Sequence, residues 1–467
     1  MQTLGDWLSH LDKRNRLAVI NPGVSLKFEL SGILDKLEAS KSCFFPSPGN
    51  HSIPVVGGLL IKRSWVAEAL NTRPENVLNL LEEAMSNPIP WKEVPQEQAP
   101  VHEVIHDGDI DILKLLPVVT HNEKDVGPYI TAGLVHARNP ETGKQNVSIH
   151  RMQVHAPNKL GILMLPRDLY AYFSMAEAKN KPLQITITIG HYPSLELASQ
   201  VTAPRDLCEL HIAGALHGKP VRVVKSYTND VCIPADAEIS IEGCILPNIR
   251  APEGPFGEFP KYYSDVEMQP VIEIKCITHR KNPIYRTINA AGHEMIVIGK
   301  VPREAFLIKK IKSGFPNVLD LRLTRGGLGR YHLIIQMKKK QYGEAKNLIS
   351  YAFGCHHDIK QVIVVDEDIN IHDSTQVEWA VATRFQAHRD LVVLHHSLGS
   401  KLDPSTDERG VGSKMGIDAT KYLGDEERFY VTKIPGEENI DIEDVVQNNT
   451  KTFRDYIRKD KGYRAKP

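Results

Sequence analysis

The stretch Leu183-Gln-Ile-Thr-Ile-Thr-Ile189 alternates apolar and polar side chains at every step. An alternation with a period of two is typical of a β-strand that packs one face against a core. The same pattern returns in Glu238-Ile-Ser-Ile-Glu242 and in Ile272-Glu-Ile-Lys-Cys-Ile277. Several such strands between residues 125 and 290 predict an antiparallel barrel or sandwich in the middle of the chain.

The regions on either side show a different pattern of secondary-structure signals. Beyond residue 300, strand and helix signals alternate over residues 331–337, 342–353, 361–366, 375–385 and 391–395, which predicts right-handed crossovers and a parallel sheet. The first hundred residues mix both signals, with a capping-box pattern at Thr72 and Glu75 and a Pro-rich linker at 87–100.

We therefore expect a fold of the α/β and β classes in three parts, since 467 residues exceed the size of one core. The predicted parts are an N-terminal α/β region at residues 1–100, a β-barrel domain at 101–300 and a C-terminal α/β domain at 301–467. A charged tail from Asn448 onward, poor in large apolar residues, ends the last part.

Composition excludes several classes of partner. Lys and Arg together number 57, as do Asp and Glu, so no global field attracts nucleic acid or an anionic membrane. No segment approaches ~20 consecutive apolar residues, and no basic region followed by an apolar run stands at the N-terminus. The six cysteines form no C-x-x-C pair and indicate free, mostly buried thiols in a reducing compartment. We expect a soluble, cytoplasmic protein.

The segment Ala251-Pro-Glu-Gly-Pro-Phe-Gly-Glu-Phe259 places Glu253 and Glu258 five residues apart across a turn rich in glycine and proline. Two carboxylates held together on a rigid turn suit general acid catalysis, because repulsion and burial raise the pKa of one of them. The spacing alone is equally that of two solvated glutamates, and taken alone it favours that plainer interpretation.

A second polar cluster lies in Asn146-Val-Ser-Ile-His-Arg151, followed at a distance by Arg167-Asp168 and Glu209. Asn, Asp and Glu are hard oxygen ligands that suit Mg²⁺ or Mn²⁺ at a cofactor phosphate. The guanidinium of Arg151 offers a bidentate fork for a carboxylate. By itself the segment also fits a barrel strand with one polar edge.

A third segment, Gly410-Val-Gly-Ser-Lys414-Met-Gly416, contains the glycines, hydroxyl and lysine of a phosphate-binding loop. It lacks the spacing of a P-loop and does not predict nucleotide hydrolysis. In isolation it predicts a glycine-rich loop and no more.

In this order, these segments resemble the UbiD family of decarboxylases over residues 100–420. The resemblance also rests on Lys159-Leu-Gly161, Glu209-Leu-His-Ile-Ala-Gly-Ala215, Val224-Lys-Ser-Tyr-Thr-Asn-Asp230, Val364-Val-Asp-Glu-Asp368 and Gly412-Ser-Lys-Met-Gly-Ile-Asp-Ala-Thr420. It implies a non-oxidative, in principle reversible decarboxylation that depends on prenylated FMN and on Mn²⁺ or Mg²⁺, with K⁺ as an additional expected cation. It also implies a split, flavin-reductase-like β-barrel for the cofactor, and a homodimer or homohexamer assembled through the C-terminal domain.

The resemblance assigns roles to individual residues. Arg151, Glu253 and Glu258 match a catalytic arginine-glutamate-glutamate network, in which Glu258 donates the proton and Arg151 holds the substrate carboxylate and pairs with Glu253. Asn146 and Glu209 match metal ligands, and Asp168 stands close to where many relatives place a third ligand, a histidine. The implied cofactor contacts are Asn146, Ser148, Ile149, His150, Arg151, Arg167, Asp168, Glu209 and Lys414, the last at the cofactor phosphate.

The chemistry agrees with this resemblance. Loss of CO₂ from an sp² carbon leaves a carbanion that no side chain here can stabilise, so a cofactor must supply the electron sink. In the family this sink is provided by cycloaddition between the modified flavin and the double bond of an aromatic, heteroaromatic or α,β-unsaturated acid.

Residues 126–133 and the cations His293, Lys300 and Arg303 are similar to members that act on heteroaromatic acids, which makes furan-2,5-dicarboxylate a candidate substrate. The expected partners are a small carboxylic acid, CO₂ and a flavin prenyltransferase that supplies the cofactor. The alternative is a split-barrel FMN-binding protein or flavin reductase without decarboxylase activity.

Overall fold

The computed structural model describes residues 3–203, 207–290, 292–446 and 450–459. The chain clusters into two compact units, residues 1–420 and 421–467. In the smaller unit, Ile442–Val445 and Lys451–Lys459 are helical. The charged tail predicted from Asn448 onward falls partly outside the described residues. All residues of the predicted site belong to the larger unit.

The N-terminal part of the larger unit packs short helices around a small sheet. Its elements are α1 (Leu4–Lys13), β1 (Leu17–Val19), α2 (Glu29–Leu37), β2 (Ser42–Phe45), β3 (Val55–Gly57), α3 (Arg63–Ala69) and α4 (Val77–Ser86). The predicted capping box at Thr72 is wrong, because α4 begins only after a 3-10 turn at Pro74–Asn76. Arg73 is extended, with ψ 152°, as residues before a proline usually are, so the helix cannot start there.

The middle of the chain forms a closed antiparallel barrel with attached helices. Its elements are β4 (Lys92–Glu93), β5 (Val104–His106), α5 (Ile112–Leu115), β6 (Tyr129–Arg138), β7 (Gln145–Ala156), β8 (Lys159–Ile162), α6 (Asp168–Ala178), β9 (Leu183–Ile189), α7 (Pro193–Ala198), α8 (Glu209–His217), β10 (Arg222–Lys225), β11 (Cys232–Pro234), β12 (Ile239–Glu253), β13 (Glu267–His279) and β14 (Tyr285–Arg286).

Six strands are hydrogen-bonded in the order β12-β9-β6-β7-β8-β13, and pairing of β12 with β13 closes the ring. Of the two predicted architectures, barrel or sandwich, the structure is therefore the barrel. Its finer assignment to the split, flavin-reductase-like type stays a prediction. Two elements cross the predicted boundaries: β4, inside the predicted linker, pairs with β10, and β14 completes the N-terminal sheet beside β3.

The alternation in β9 has a structural reason on both faces of the strand. Its leucine and isoleucines belong to the barrel core. Its threonines are buried as well, and they bond to buried polar side chains around them. Thr186 Oγ1 lies 2.7 Å from Ser226 Oγ, and Thr188 Oγ1 lies 2.7 Å from Nε2 of both His136 and His191.

The C-terminal part is an α/β layer. Its elements are α9 (His293–Gly314), β15 (Val318–Leu323), β16 (His332–Met337), α10 (Glu344–Cys355), β17 (Gln361–Asp366), α11 (Ser374–Arg384), α12 (Ala387–Asp390), β18 (Leu391–Leu398) and β19 (Val411–Ala419). The sheet order is β15-β16-β17-β19-β18. The predicted strands at residues 331–337 and 361–366 are β16 and β17, and they are parallel as expected. The predicted strand at 391–395 is β18, which is antiparallel to its neighbour β19, so that part of the prediction is wrong. The third parallel strand is β19 instead, beside β17, and β15 is antiparallel to β16.

The prediction of a glycine-rich loop at residues 410–416 is wrong, because most of this segment lies in β19. One of its glycines, Gly416, is explained by helix packing. A Cβ atom at Gly416 would lie 2.2 Å from Cγ2 of Ile349 in α10, so only glycine lets the helix approach this strand.

Two further observations bear on the class of protein. All six cysteines are free and buried, as predicted. Among the described residues, none of the helices combines the length and the apolar character that crossing a bilayer requires.

Candidate active site

The turn between β12 and β13 carries the two predicted acids. Glu253 is the last residue of β12, and Gly254 follows with φ +95°, a conformation that favours glycine. The Gly254 amide donates to Oε1 of Gln153 at 3.1 Å, and the Gly257 amide donates to Oδ1 of Asp125 at 2.8 Å. Neighbouring segments therefore hold the backbone of the turn in place.

Arg151 on β7 contacts both acids. Its Nε and Nη2 donate to the two carboxylate oxygens of Glu253 at 3.0 and 2.7 Å, and its Nη1 donates to Oε1 of Glu258. The guanidinium also lies over the ring of Phe256, 5.0 Å from its centroid. Burial disfavours the charged guanidinium, but the charges of Glu258 and Glu253 outweigh it and raise the pKa of Arg151.

The structure thus brings the three residues together, with one difference from expectation. The resemblance pairs Arg151 with Glu253, whereas in the structure Glu258 shares the guanidinium with Glu253. The two contacts are unequal, since Glu253 has a bidentate pair and Glu258 a single contact.

A second group gathers hard oxygen ligands. Glu209 is the first residue of α8, and its carboxylate accepts bonds from Nδ2 of Asn146 at 2.9 Å and from the Val147 amide at 2.7 Å. Burial, together with the charge of Asp168 at the start of α6, raises the pKa of Glu209 to about 8. A buried carboxylate with an acidic neighbour and an amide fits a divalent cation, which would relieve this repulsion.

Both groups open into one cavity of about 280 Å³. Of the predicted site residues, those lining it are Asn146, Ser148, Ile149, His150, Arg151, Arg167, Asp168, Glu209 and Glu258. Glu253 stands behind Arg151 and does not line the cavity. This distinction separates the two acids more sharply than their spacing in the sequence could.

His150 is a structural member of this wall. Its Nε2 lies 2.9 Å from Oγ of Ser148, and its Nδ1 lies 3.0 Å from the carbonyl oxygen of Leu163. Burial lowers the pKa of His150 to about 4, so the ring is neutral near pH 7.

Lys414 lies elsewhere. It stands on β19, and its Nζ donates to the carbonyl oxygen of His357 at 2.8 Å. It lines a separate cavity of about 30 Å³, so its predicted contact with the cofactor phosphate stays a prediction.

Only one of the three predicted substrate-binding cations lines the large cavity. Arg303 lines the large cavity, and burial followed by the charge of Arg330 lowers the pKa of Arg303 to about 9. Lys300 is paired instead with Glu304, at 3.4 Å. His293, at the first position of α9, is not part of the lining.

Several residues of the site escaped the sequence patterns. Arg330 lines the cavity and lies 4.2 Å from the centroid of the Phe259 ring. Asp125 and Gln153 anchor the turn from distant segments. The aromatic residues within the turn were the available signal, because a cation often stacks on them. Asp125 and Gln153 carried no local signal.

With this geometry in place, known proteins give a consistent comparison. Family models of the 3-octaprenyl-4-hydroxybenzoate carboxy-lyase match in three parts: the N-terminal domain at residues 8–85, the Rift-related domain at 92–293 and the C-terminal domain at 296–419. The chain belongs to the UbiD family. Among the relatives of this UbiD-family protein, an anhydromevalonate phosphate decarboxylase from Methanothermobacter thermautotrophicus is 35% identical over 420 residues, which cover 90% of this chain and 97% of the relative.

Solved structures agree. The UbiD-class enzyme HmfF from Pelotomaculum thermopropionicum in complex with FMN is 44% identical, with a TM-score of 0.92, and the match covers 95% of this chain and 100% of HmfF. An evolved dimeric form of HmfF in complex with prFMN is 41% identical, with a TM-score of 0.89 and coverage of 96% and 100%. This UbiD-family protein is accordingly an enzyme, a carboxy-lyase.

Proposed function

We propose that this enzyme decarboxylates an aromatic, heteroaromatic or α,β-unsaturated carboxylic acid with prenylated FMN, and that Glu258 is the proton donor. Prenylated FMN, when bound, supplies the electron sink that the side chains lack. The observation that carries the assignment of the donor is that Glu258 lines the cavity, whereas Glu253 lies behind Arg151. The HmfF complexes with FMN and prFMN support the choice of cofactor.

Asn146, Asp168 and Glu209 hold Mn²⁺ or Mg²⁺ against the cofactor phosphate in this proposal. The raised pKa of Glu209 supports it, because a divalent cation stabilises the ionised carboxylate. Ser148, Ile149, His150 and Arg167 line the same cavity, and in this proposal they would contact the cofactor. The contact of Lys414 with the phosphate and a bound K⁺ remain predictions.

Arg151 has two functions in this arrangement. It orients the substrate carboxylate. Its bidentate pair with Glu253 also neutralises the negative charge of that buried carboxylate. Glu258 has only one contact with the guanidinium, so it can exchange a proton with the substrate carbon at lower cost.

The substrate should carry a second anionic group. Arg303 and Arg330 both line the cavity, and they share the charge of one acid, Asp358, which lies 3.6 Å from Arg330. Two cations beside one carboxylate leave an excess of positive charge that a second anionic group on the substrate would balance. Furan-2,5-dicarboxylate remains the candidate substrate on this ground. A phosphate would satisfy the same cations, and the relative from Methanothermobacter is named for anhydromevalonate phosphate.

The test is co-expression with a flavin prenyltransferase, followed by the absorption spectrum and CO₂ release from furan-2,5-dicarboxylate, 2-furoate and anhydromevalonate phosphate. Modified-flavin absorption with CO₂ release from a doubly anionic acid, but not from 2-furoate, is the expected result. Ordinary flavin with hydride transfer and no CO₂ would contradict the proposal.

Substitution of the acids tests the proton donor. Glu258→Gln should retain cofactor and substrate binding but lose ~10²–10⁴ in kcat, the usual contribution of general acid catalysis. Exchange of solvent deuterium into the product should fall in parallel. Glu267→Gln is the matched control, since Glu267 is an exposed glutamate on the adjoining β13. If Glu258→Gln turned over substrate at nearly the parental rate while Glu253→Gln lost activity, Glu253 would be the proton donor instead.

We also propose that copies of the chain assemble into a homodimer or homohexamer through the C-terminal α/β domain. The edge strand β18 supports this, because Val393, Leu394 and Leu398 are 46%, 45% and 60% exposed. Adjacent apolar side chains on a sheet edge favour a protein partner. Light scattering should show an oligomer for the parent and a smaller species for Leu394→Glu, whereas a monodisperse parent monomer would contradict the proposal.

A further inference from the structure

A second cavity, of about 340 Å³, adjoins the active site on another side of the proton donor. Glu258 and Ala290 line both this cavity and the large one. Glu258 therefore stands at the boundary between two spaces, and the mechanism described above uses only one of them.

The second cavity leads from the surface to the buried acid. Phe28 and Tyr263 line it and are 38% and 39% exposed. His121, Asn289 and Glu258 also line it and are only 5%, 8% and 7% exposed. One part of the lining thus faces solvent while the other reaches Glu258.

The buried part contains polar atoms that need a partner. Within the described residues, Nδ1 of His121 and Oδ1 of Asn289 are buried and have no hydrogen-bond partner. Asn289 is oriented by its Nδ2, which donates to the carbonyl oxygen of Ser31 at 2.8 Å. Buried polar atoms of this kind are usually satisfied by ordered water, and this polar cavity has room for it.

The orientation of His121 ties the two cavities together. Its Nε2 lies 2.9 Å from Oγ1 of Thr287, which lies 3.1 Å from Oγ1 of Thr131 in the lining of the active-site cavity. Burial lowers the pKa of His121 to about 3, so the ring stays neutral and acts as a hydrogen-bonding group.

We propose that this second cavity, the proton-supply cavity, holds hydrogen-bonded water through which Glu258 recovers a proton from solvent after each turnover. The inference rests on the proposed function of Glu258. Decarboxylation converts a carboxylate and one proton into CO₂ and a product C–H bond. The O–H bond of Glu258 breaks as the C–H bond forms, so its carboxylate must take one proton from solvent before the next cycle.

The charges around this route are mixed. On the active-site side, Glu258 contacts Arg151. On the other side, Asp35 and Lys261 line the exposed part of the cavity, and Asp125 bonds to the Gly257 amide. Charges of both signs therefore flank the route.

The experiment compares the first turnover with later ones in holoenzyme loaded with prenylated FMN. His121→Phe and Asn289→Leu are first equilibrated with solvent, so that Glu258 has time to take up its proton, and one product per site should then form at the parental rate. Later turnovers should then slow at least ~10-fold, since general acid steps typically contribute ~10²–10⁴ in rate. The ratio kcat/KM should stay unchanged, because the slowed step follows product formation. His121→Gln, which keeps a polar group in the cavity, should restore most of the steady-state rate.

Two further measurements keep the test decisive if one variant folds poorly. Crystallography of the parent without cofactor should show ordered water bonded to Nδ1 of His121 and Oδ1 of Asn289, and the variants should lose it. His332→Phe is the matched control, because His332 also has a buried unpartnered Nε2 but lines neither cavity. It should leave both phases unchanged.

The outcomes separate this inference from the proposed function. Full activity of Glu258→Gln would refute the role of Glu258 itself. An inactive Glu258→Gln beside unslowed His121→Phe and Asn289→Leu would overturn the proton-supply cavity alone. A change in KM without a slow second phase would make the cavity a route for substrate, and that result would also overturn the inference.

Discussion

Arg286→Met should reveal how much the larger unit depends on one buried ionic cluster. Arg286 is fully buried, and its guanidinium pairs with both oxygens of Glu196 at 3.1 and 3.2 Å and with Oε1 of Glu294 at 2.6 Å. Glu294 lies on α9 and accepts the amides of residues 58–60, while Arg286 lies on β14. The cluster therefore connects all three parts of the larger unit.

The magnitude follows from the charges left behind. Glu294 keeps three backbone donors, but Glu196 loses its cation, and burial already raises the pKa of Glu196. Protonating such a carboxyl near pH 7.5 costs about 4 kcal/mol at 1.36 kcal/mol per pKa unit, close to the ~3–5 kcal/mol typical of breaking a buried ion pair. We expect a loss of this size in the free energy of unfolding.

The sign of the pH dependence follows as well. In the variant the folded state holds a proton on Glu196 that the unfolded state releases above its ordinary pKa. The loss should therefore shrink by about 1.4 kcal/mol for each unit by which the pH falls, until it levels near pH 4–5.

Urea denaturation at about pH 7.5 and about pH 5.5 measures both quantities, with circular dichroism and tryptophan fluorescence tested for coincident transitions. Arg409→Met is the matched control, since Arg409 and Asp407 form an ion pair with side chains 81% and 36% exposed. It should leave the free energy of unfolding nearly unchanged, because solvent screens an exposed ion pair. A loss for Arg286→Met below ~1 kcal/mol, or one independent of pH, would refute the reasoning.

Three further predictions concern the acids and the turn. Burial raises the pKa of Glu38 to about 7. The free energy of unfolding of the parent should therefore fall by ~3 kcal/mol relative to that of Glu38→Gln as the pH rises from about 4.5 to 7. Urea midpoints of the two proteins that change equally with pH would contradict this. Gly257→Ala should lower kcat at least ~10-fold, because its Cβ would lie 2.3 Å from Nδ2 of Asn122, whereas Gly354→Ala, with open space, should leave kcat unchanged. Glu209→Ala should purify without metal or modified flavin, as judged by elemental analysis and absorption. If the variant retained both in full, Glu209 would not be a metal ligand.

Much of this protein could be read from its sequence because the relevant forces are local. The strict alternation at residues 183–189 predicted a strand, since side chains on a strand point to opposite faces. The turn with Glu253 and Glu258 was identified because glycine permits, and proline fixes, the backbone conformations that a turn requires. Motif order then indicated the UbiD family, which the matching family models confirm.

Other features depend on contacts between distant segments. The glycines at residues 410–416 suggested a phosphate loop, but packing of Ile349 against Gly416 accounts for one of them within a strand. The anchoring of the turn by Asp125 and Gln153 had no local pattern, because a single carboxylate or amide acquires its role only from the backbone donor it meets.

The division between the two acids is the clearest case. Spacing in the sequence made Glu253 and Glu258 equivalent, and the position of Glu258 directly after Gly257, together with the family resemblance, ranked them. Tertiary structure decides which one faces the cavity, because Arg151 arrives from another strand and covers Glu253 with a bidentate pair. Sequence determines residue chemistry and local backbone preference, whereas the burial and electrostatics of each group depend on which distant chain segments pack around it.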